Sequence, residues 1–374
     1  MKLLISGGHL TPALAFIEYI QKEHPSDEII FIGRLYSKKN KQQISQEKTE
    51  IEKLGVRFIP FTSVKLTQNT LLAKIISIPS LLLKAVKTTT LIAKEKPDIF
   101  VSFGGYLAIP VAIACWIMRV PVVTHEQTRT AGIANTIISK FANKIAISYK
   151  ESETYFPKSR TVLTGNLIRQ AVLQTSKVLP EWMQKKPTKP LLYITGGSQG
   201  SEIINRTVSQ ILKPLLKNWV VIHQCGKPSG TTSYLKELTA AKNQLSQANQ
   251  ENYYIREWIT KDELAWIYSN AEGVISRSGA NTTEEIALNK IPAVLIPLPF
   301  SHNDEQLKNA QALSNNKQAI LLEQKNLTPE VLLEATDLIQ KYHRKFSRNL
   351  QLFSKIKHSE KKLYELAESL IQEK

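Results

Sequence analysis

The 374-residue chain predicts an α/β fold made of two doubly wound domains that face a central cleft. Three observations predict it. Strand and helix patterns alternate along most of the chain, as parallel sheets with crossover helices require. The alternation starts twice, at residues 2–5 and again at residues 190–195. Each of these first strands runs into a glycine-rich turn and then a helix, which is the Rossmann-like arrangement.

In the first half, strands are expected at 2–5, 28–32, 57–61, 99–102, 120–124 and 144–147, with helices at 12–23 and 107–118. The pattern pauses around residues 162–166. Residues 177–190 carry three prolines and four lysines and read as an interdomain or surface spacer. Strands then follow at 190–195, 219–223, 253–256, 273–276, 293–296 and 319–322, and a helical tail begins near residue 329.

Composition narrows the class. A hydrophobic content of 42% excludes a mostly disordered chain. Cys115 and Cys225 lie far apart without CxxC spacing, against a disulfide framework or zinc site. The start, MKLLIS, lacks a basic stretch followed by a long apolar one, so no signal peptide is expected. The longest apolar run, 107–123, is broken by Pro110, Arg119 and Pro121 and reads as helix then strand. Net charge is +17, and residues 53–94 hold seven basic residues and no acidic one. Within them, residues 71–94 are aliphatic and punctuated by lysines. That combination suits an anionic membrane surface. Nucleic acid is disfavoured, because 71–94 has no aromatic residue for base stacking and no recognition motif. The plain alternative is a core helix whose lysines snorkel at its edge.

Residues 276–310 carry the most chemistry. A strand ends in Arg277-Ser278-Gly279-Ala280, and a helix opens with Asn281, Thr282, Thr283, Glu284 and Glu285. The helix start offers N–H groups and a positive dipole end to an anion. Glu285, one turn in, can accept from the two hydroxyls of a ribose. Gln306 can meet a sugar with a donor and an acceptor. Together these point to a nucleotide-sugar site, against the plain alternative of a capped β-α-β unit. Two glycine loops follow first strands, Ser6-Gly7-Gly8-His9 and Gly196-Gly197-Ser198-Gln199-Gly200. Glycine lets backbone approach a ligand there. Gly104-Gly105-Tyr106 and His125-Glu126-Gln127 follow other strands and so lie at the same carboxyl-terminal edge. His9, His125 and Glu126 are candidate general bases, and His223 ends a strand of the second half. No HxH, HExxH or Asp-x-Asp pattern asks for a metal.

In order and spacing these pieces resemble the MurG family of bacterial glycosyltransferases. The resemblance runs from Gly7 to about Ala310. It rests on Gly7-Gly8-His9-x-x-Pro12-Ala13-Leu14, Gly104-Gly105-Tyr106, His125-Glu126-Gln127 and Gly165-Asn166-x-x-Arg169. Gly196-Gly197-Ser198-Gln199-Gly200, Arg277-Ser278-Gly279-Ala280 and Gln306-x-x-Asn309-Ala310 complete it. It implies the GT-B fold: an acceptor and membrane-binding domain over 1–165, joined by a C-terminal helix from about 346 to 374, and a UDP-sugar domain over 166–345. It implies transfer of GlcNAc from UDP-GlcNAc to the C4 hydroxyl of MurNAc in the polyprenyl-diphosphate-linked acceptor lipid I. The reaction would be one inverting displacement, at the cytoplasmic face of the bacterial membrane, without metal or cofactor. By position, Arg169 and Ser198 would hold the donor diphosphate and Ile259 would line the uracil through its backbone. Ala280, Asn281, Thr282, Thr283 and Glu284 would cradle phosphate and sugar, with Glu285 on the ribose and Gln306 on the GlcNAc. His9 would sit at the acceptor end with His125 and Glu126 nearby. Ser6, Gly7, Gly8, Tyr106, Thr128, Gln199 and Arg277 would be further substrate contacts. Two departures from the family pattern stand out. The first loop is about two residues shorter than Gly-Gly-Thr-Gly-Gly-His, and Thr128 stands where the family has Asn. The competing readings are a GT-B transferase for another lipid acceptor, such as a diacylglycerol, and a catalytically inactive membrane-bound scaffold.

Overall fold

The computed structural model describes residues 1–36, 44–61, 71–197, 199–227, 233–343, 346 and 358–372, with backbone only at 71–82 and His302. The chain divides into two compact units, Met1–Arg169 with Ile356–Lys374, and Gln170–Lys355.

The described residues of the first unit form a seven-stranded sheet. Its strands are β1 Lys2–Gly7, β2 Glu28–Gly33, β3 Arg57–Pro60, β4 Ile99–Phe103, β5 Val122–Glu126, β6 Lys144–Ile147 and β7 Thr161–Leu163. They run in the order β3-β2-β1-β4-β5-β6-β7, every pair parallel. Helices cover both faces, so the central strands are aliphatic almost without alternation. Leu4, Ile30, Ile32 and Phe100 pack on one side with helix Ala108–Ile117. Leu3, Ile5, Phe31 and Ile99 pack on the other with helix Leu10–Glu23. The C-terminal helix Ser359–Gln372 joins that second core through Leu363, Tyr364, Ala367 and Leu370, one face at helical spacing. Each fully buried aliphatic side chain there stabilises by roughly 1.5–3 kcal/mol. Tyr364 also stacks on His24 at 3.7 Å and donates to Asp27 Oδ2 at 2.7 Å.

Two expectations need correction. His125 and Glu126 do not follow β5; they are its last residues, paired with Ala146 and Ile147. The strand also starts later than expected, at Val122, next to Pro121, which has no N–H to give a ladder. β7 lies where the sequence reads as a pause, because three edge residues, two half-buried and Leu163 exposed, are too few to show a period.

The second unit repeats the plan with β8 Leu191–Thr195, β9 Val220–Gln224, β10 Tyr253–Arg256, β11 Ala271–Ser276, β12 Ala293–Leu295 and β13 Ala319–Leu321. The order is β10-β9-β8-β11-β12-β13, again parallel. Helix Glu202–Asn218 lays Ile204, Val208, Ile211, Leu212 and Leu215 on this sheet. Strand order reverses between β1 and β4 in the first unit and between β8 and β11 in the second. In open α/β sheets such switch points open a crevice at the carboxyl ends of the strands. Among the described residues, no helix is long and apolar enough to cross a membrane.

Candidate active-site elements

In the first unit, the ends of β1, β4 and β5 bring three motifs together. A Cβ on Gly8 would lie 2.4 Å from the Gly105 nitrogen, so the first two loops touch backbone to backbone. The Phe103 carbonyl accepts from the Gly8 and His9 amides, each at 3.3 Å, and lies 3.3 Å from His9 Nδ1. Those two amides are therefore aimed at a protein carbonyl. A carbonyl can only accept, so Nδ1 is the donor of this contact, and in the neutral ring Nε2 then carries the lone pair. The His9 side chain is exposed.

His125 is its opposite. It is 1% exposed, and its Nε2 donates to the Gly165 carbonyl at 3.2 Å, with Ser148 Oγ at 3.3 Å. Burial pushes its pKa down to about 4, so the ring is neutral near pH 7. Glu126 is equally buried, and its carboxylate is filled by four donors. Oε1 accepts from the Thr128 amide at 3.0 Å and the Thr128 hydroxyl at 2.7 Å. Oε2 accepts from the Gly132 amide and from Asn135 Nδ2, both at 2.9 Å. Ser6 Oγ, His125 Nδ1, Gln127 Oε1 and Arg129 Nε, all near this edge, are buried with no hydrogen-bond partner among the described residues. Tyr106 lies half-buried beside Gly105. Arg169 ends the unit with its guanidinium on Glu18, Nε to Oε2 at 3.2 Å and Nη2 to Oε1.

On the same unit, helix Leu71–Glu95 buries Ala85, Thr88 and Ile92 and exposes Leu83 and Val86, at 58% and 59%. It packs on helix Ala108–Ile117, whose end exposes Trp116, Ile117 and Met118. Lys84 and Lys87 lie among the exposed apolar positions in sequence. A buried stripe alone, as the snorkelling alternative has it, does not account for the exposed Leu83 and Val86.

In the second unit, β11 ends at Ser276 and helix Ala280–Leu288 starts after Gly279, whose extended backbone forms the N-cap. Glu285 is 8% exposed, and the Tyr268 hydroxyl donates to its Oε2 at 3.1 Å. Asn281, Thr282 and Glu284 are half-buried on the first turn. Thr283 is buried, and its hydroxyl donates back to the Gly279 and Ala280 carbonyls at 3.1 and 3.0 Å. Arg277 was expected as a substrate contact, yet its guanidinium faces protein acceptors. Nη1 donates to the Ile296 and Pro297 carbonyls at 3.2 and 3.1 Å, and Nη2 to Ser201 Oγ and Gln324 Oε1 at 2.8 and 2.7 Å. Arg277 thus ties the second glycine loop to the end of β12. Gln306 Oε1 accepts from the Leu298 amide at 3.0 Å, which leaves its NH₂ as the group suited to a ligand. Ser278 Oγ donates to the Gln306 carbonyl at 2.7 Å, and Asn309 Nδ2 to the Ser278 carbonyl at 3.1 Å. Gln199 is exposed and Ile259 buried, and Ser198 lies outside the described residues. A Cβ on Gly200 would sit 2.0 Å from the Cys225 carbonyl oxygen, and one on Gly226 2.0 Å from the Gly200 nitrogen. His223 is a buried structural residue: Nε2 meets Asn205 Oδ1 at 2.9 Å and Nδ1 meets the Tyr253 hydroxyl at 2.8 Å, and burial takes its pKa to about 3.

Sequence reasoning missed Tyr268, Asn135 and Glu18, each of which holds a predicted residue from another element. None belongs to a motif, so the sequence carries no local signal for them.

Comparison with known proteins gives both halves of the chain a family. Residues 6–147 match the glycosyltransferase family 28 N-terminal domain, and residues 191–370 the family 28 C-terminal domain. A curated relative from Acetivibrio thermocellus, 31% identical, aligns with 100% of this chain and 99% of its own. One from Bacillus cereus is 34% identical over 93% of both. Both are named UDP-N-acetylglucosamine--N-acetylmuramyl-(pentapeptide) pyrophosphoryl-undecaprenol N-acetylglucosamine transferase. Among solved structures, MurG of Acinetobacter baumannii superposes with TM-score 0.69 at 23% identity, covering 98% of this chain and 99% of that one. UDP-GlcNAc 2-epimerase of Neisseria meningitidis gives 0.61 at 11% identity over 96% of both chains. These structural likenesses speak for the fold, two parallel-sheet α/β domains of GT-B type, while the full-length relatives speak for kinship: the chain belongs to glycosyltransferase family 28, among the MurG enzymes.

Proposed function

We propose that the chain moves GlcNAc from UDP-GlcNAc to the C4 hydroxyl of MurNAc in lipid I, with inversion, and releases UDP. The observation that carries this reading is the alignment over its whole length with relatives named for that transfer. The site chemistry agrees with it. In the second unit the start of helix Ala280–Leu288 offers amides and a positive dipole end to phosphate, Glu285 accepts from the ribose hydroxyls, and the Gln306 NH₂ donates to the sugar. In the first unit His9, with Nδ1–H on the Phe103 carbonyl, holds Nε2 in the form that takes up the hydroxyl proton. Fixed donors stabilise charge growing on the leaving diphosphate. The exposed apolar and lysine-bearing surface of helix Leu71–Glu95, with Trp116, Ile117 and Met118, seats the protein peripherally on the anionic inner leaflet that holds the acceptor.

The test is UDP release by the purified protein with UDP-GlcNAc and a lipid I analogue, followed by identification of the product. Acceptor-dependent UDP release and a new β1–4 linked disaccharide are expected. Release only with another lipid acceptor, or none with any acceptor, would overturn the reading.

A further inference from the structure

The HEQ motif at the end of β5 contains a carboxylate, and a carboxylate beside an acceptor hydroxyl invites the role of base. The geometry points to a different division of labour: we infer that Glu126 is a positioning residue that holds residues 127–135 in shape, and that Gln127 is the residue of this motif that meets the acceptor. This rests on the proposed transfer to a lipid-linked sugar and deepens it.

Glu126 has little left to give a substrate. Its two oxygens accept four hydrogen bonds, from the Thr128 amide and hydroxyl, the Gly132 amide and Asn135 Nδ2. A carboxylate has about four lone-pair sites, so this one is saturated by its own loop. The donors are spread along the loop, so one side chain fixes its beginning, its middle and the start of helix Ile133–Ile138, which Gly132 caps. Asn135 extends the brace. Its Nδ2 also donates to the His125 carbonyl at 3.1 Å, and its Oδ1 accepts from the Thr124 hydroxyl at 2.8 Å. The Thr128 hydroxyl shares its proton between Glu126 and the Thr130 carbonyl. Thr128, where the family has Asn, is thereby absorbed into the brace. It is not presented to a substrate.

Gln127 is held in place by this brace and is used by nothing else in it. Its side chain is 8% exposed, and Oε1 is buried with no hydrogen-bond partner among the described residues. A buried amide oxygen without a donor is costly, and native folds keep one chiefly where a ligand or an ordered water supplies the donor. Ser6 Oγ and His125 Nδ1, at the ends of β1 and β5, are orphaned in the same way. The chemistry that suits Gln127 Oε1 is an N–H or O–H donor, such as a sugar hydroxyl or the acetamido N–H of an N-acetylated acceptor sugar.

Three full-length variants test this: Glu126→Gln, Asn135→Ala and Gln127→Met. Each is assayed for kcat and acceptor KM with a lipid I analogue and for amide hydrogen exchange across 127–135. Glu126→Gln turns an NH₂ toward donors, and Asn135→Ala removes a brace that cannot act as a base. Both should speed exchange in the loop and raise acceptor KM about tenfold or more, with kcat within about fivefold of wild type. Gln127→Met keeps size and removes the acceptor atom. It should raise acceptor KM by a similar factor with wild-type exchange. A Glu126→Gln protein with wild-type exchange and kcat lowered 100-fold or more would return the base role to Glu126 and overturn the inference. Wild-type acceptor KM in Gln127→Met would overturn the assignment of Gln127. If the wild type transfers nothing to lipid I, the proposed function fails, yet the exchange comparison of Glu126→Gln and Asn135→Ala still decides whether Glu126 is a brace.

Discussion

The Tyr268 hydroxyl donates to Glu285 Oε2 at 3.1 Å, from a neighbouring helix to a carboxylate that is itself buried. The bond points the carboxylate before any donor arrives, so little ordering remains for binding. Charge-assisted bonds from a ribose to such a group contribute roughly 1.5–3 kcal/mol. Glu285→Ala should therefore raise the KM for UDP-GlcNAc about 10- to 100-fold. Tyr268→Phe should raise it by a smaller factor, about threefold to tenfold, with kcat nearly unchanged. Steady-state kinetics with varied donor measures both. A folded Glu285→Ala protein with wild-type donor KM would remove Glu285 from the ribose site.

His9 should control turnover and leave donor binding alone. General base catalysis contributes about 10²–10⁴-fold, so His9→Ala should lower kcat at least about 100-fold. Donor affinity, measured by calorimetry with UDP, should stay within about twofold, because the groups proposed to hold the donor lie on the second unit. Near-normal turnover in His9→Ala, with loss in His125→Ala, would move the base to β5 despite its burial.

Membrane attachment should depend on charge and on apolar contact separately. Each lysine near an anionic surface contributes about 1 kcal/mol, so Lys84→Glu with Lys87→Glu should weaken vesicle binding by about 30-fold or more. Added salt should weaken the wild type through the same term. Trp116→Ser should weaken binding by a factor that salt does not change. Flotation with anionic and neutral vesicles separates these effects. Binding that is unaltered in all variants would mean this face does not touch lipid.

Acid should destabilise both units, through a histidine in each. His125 and His223 have pKa values lowered by burial to about 4 and about 3, from 6.5 when unfolded. Below pH 6.5 the unfolded chain takes up a proton that the folded one refuses, so folding stability falls with pH until the folded values are reached. Between pH 7 and pH 5 that loss is about 2 kcal/mol for each histidine. Urea unfolding at the two pH values should show it. In His223→Gln the second unit should lose its share of the dependence, whatever its starting stability.

The sheets were readable in the sequence because both faces of each are covered. Buried parallel strands such as KLLISG and EIIFIG are continuous aliphatic runs, and the turn residues after them are plain. Legibility failed where polarity and position part company. His125 and Glu126 look like loop residues, yet they complete β5, because a strand end at the carboxyl edge of the sheet can bury polar groups that neighbouring chain satisfies. In the candidate site, Glu285 and Gln306 stand in a recognisable local order. Their constraints do not: Tyr268 is 17 residues from Glu285, and Glu18 is 151 from Arg169. Arg277 shows the same limit from the other side. A conspicuous charge in a glycine-rich motif reads as a ligand contact, whereas only the fold reveals four protein acceptors around it.

Both units close their ligand edge with glycine backbone against glycine backbone, Gly8 on Gly105 in the first and Gly200 on Gly226 in the second. A methyl group at Gly8, Gly200 or Gly226 would meet main chain at 2.4 Å or less, and main chain cannot swing aside as a side chain does. The paired loops therefore leave each other no room for a side chain at these positions. Lengthening or shortening one of them should disturb the other, so the first loop and Gly104-Gly105-Tyr106 should tolerate exchange only together. What is exchangeable at each edge is the touching pair of loops, and a graft of either motif alone from a relative with a longer loop should misplace both.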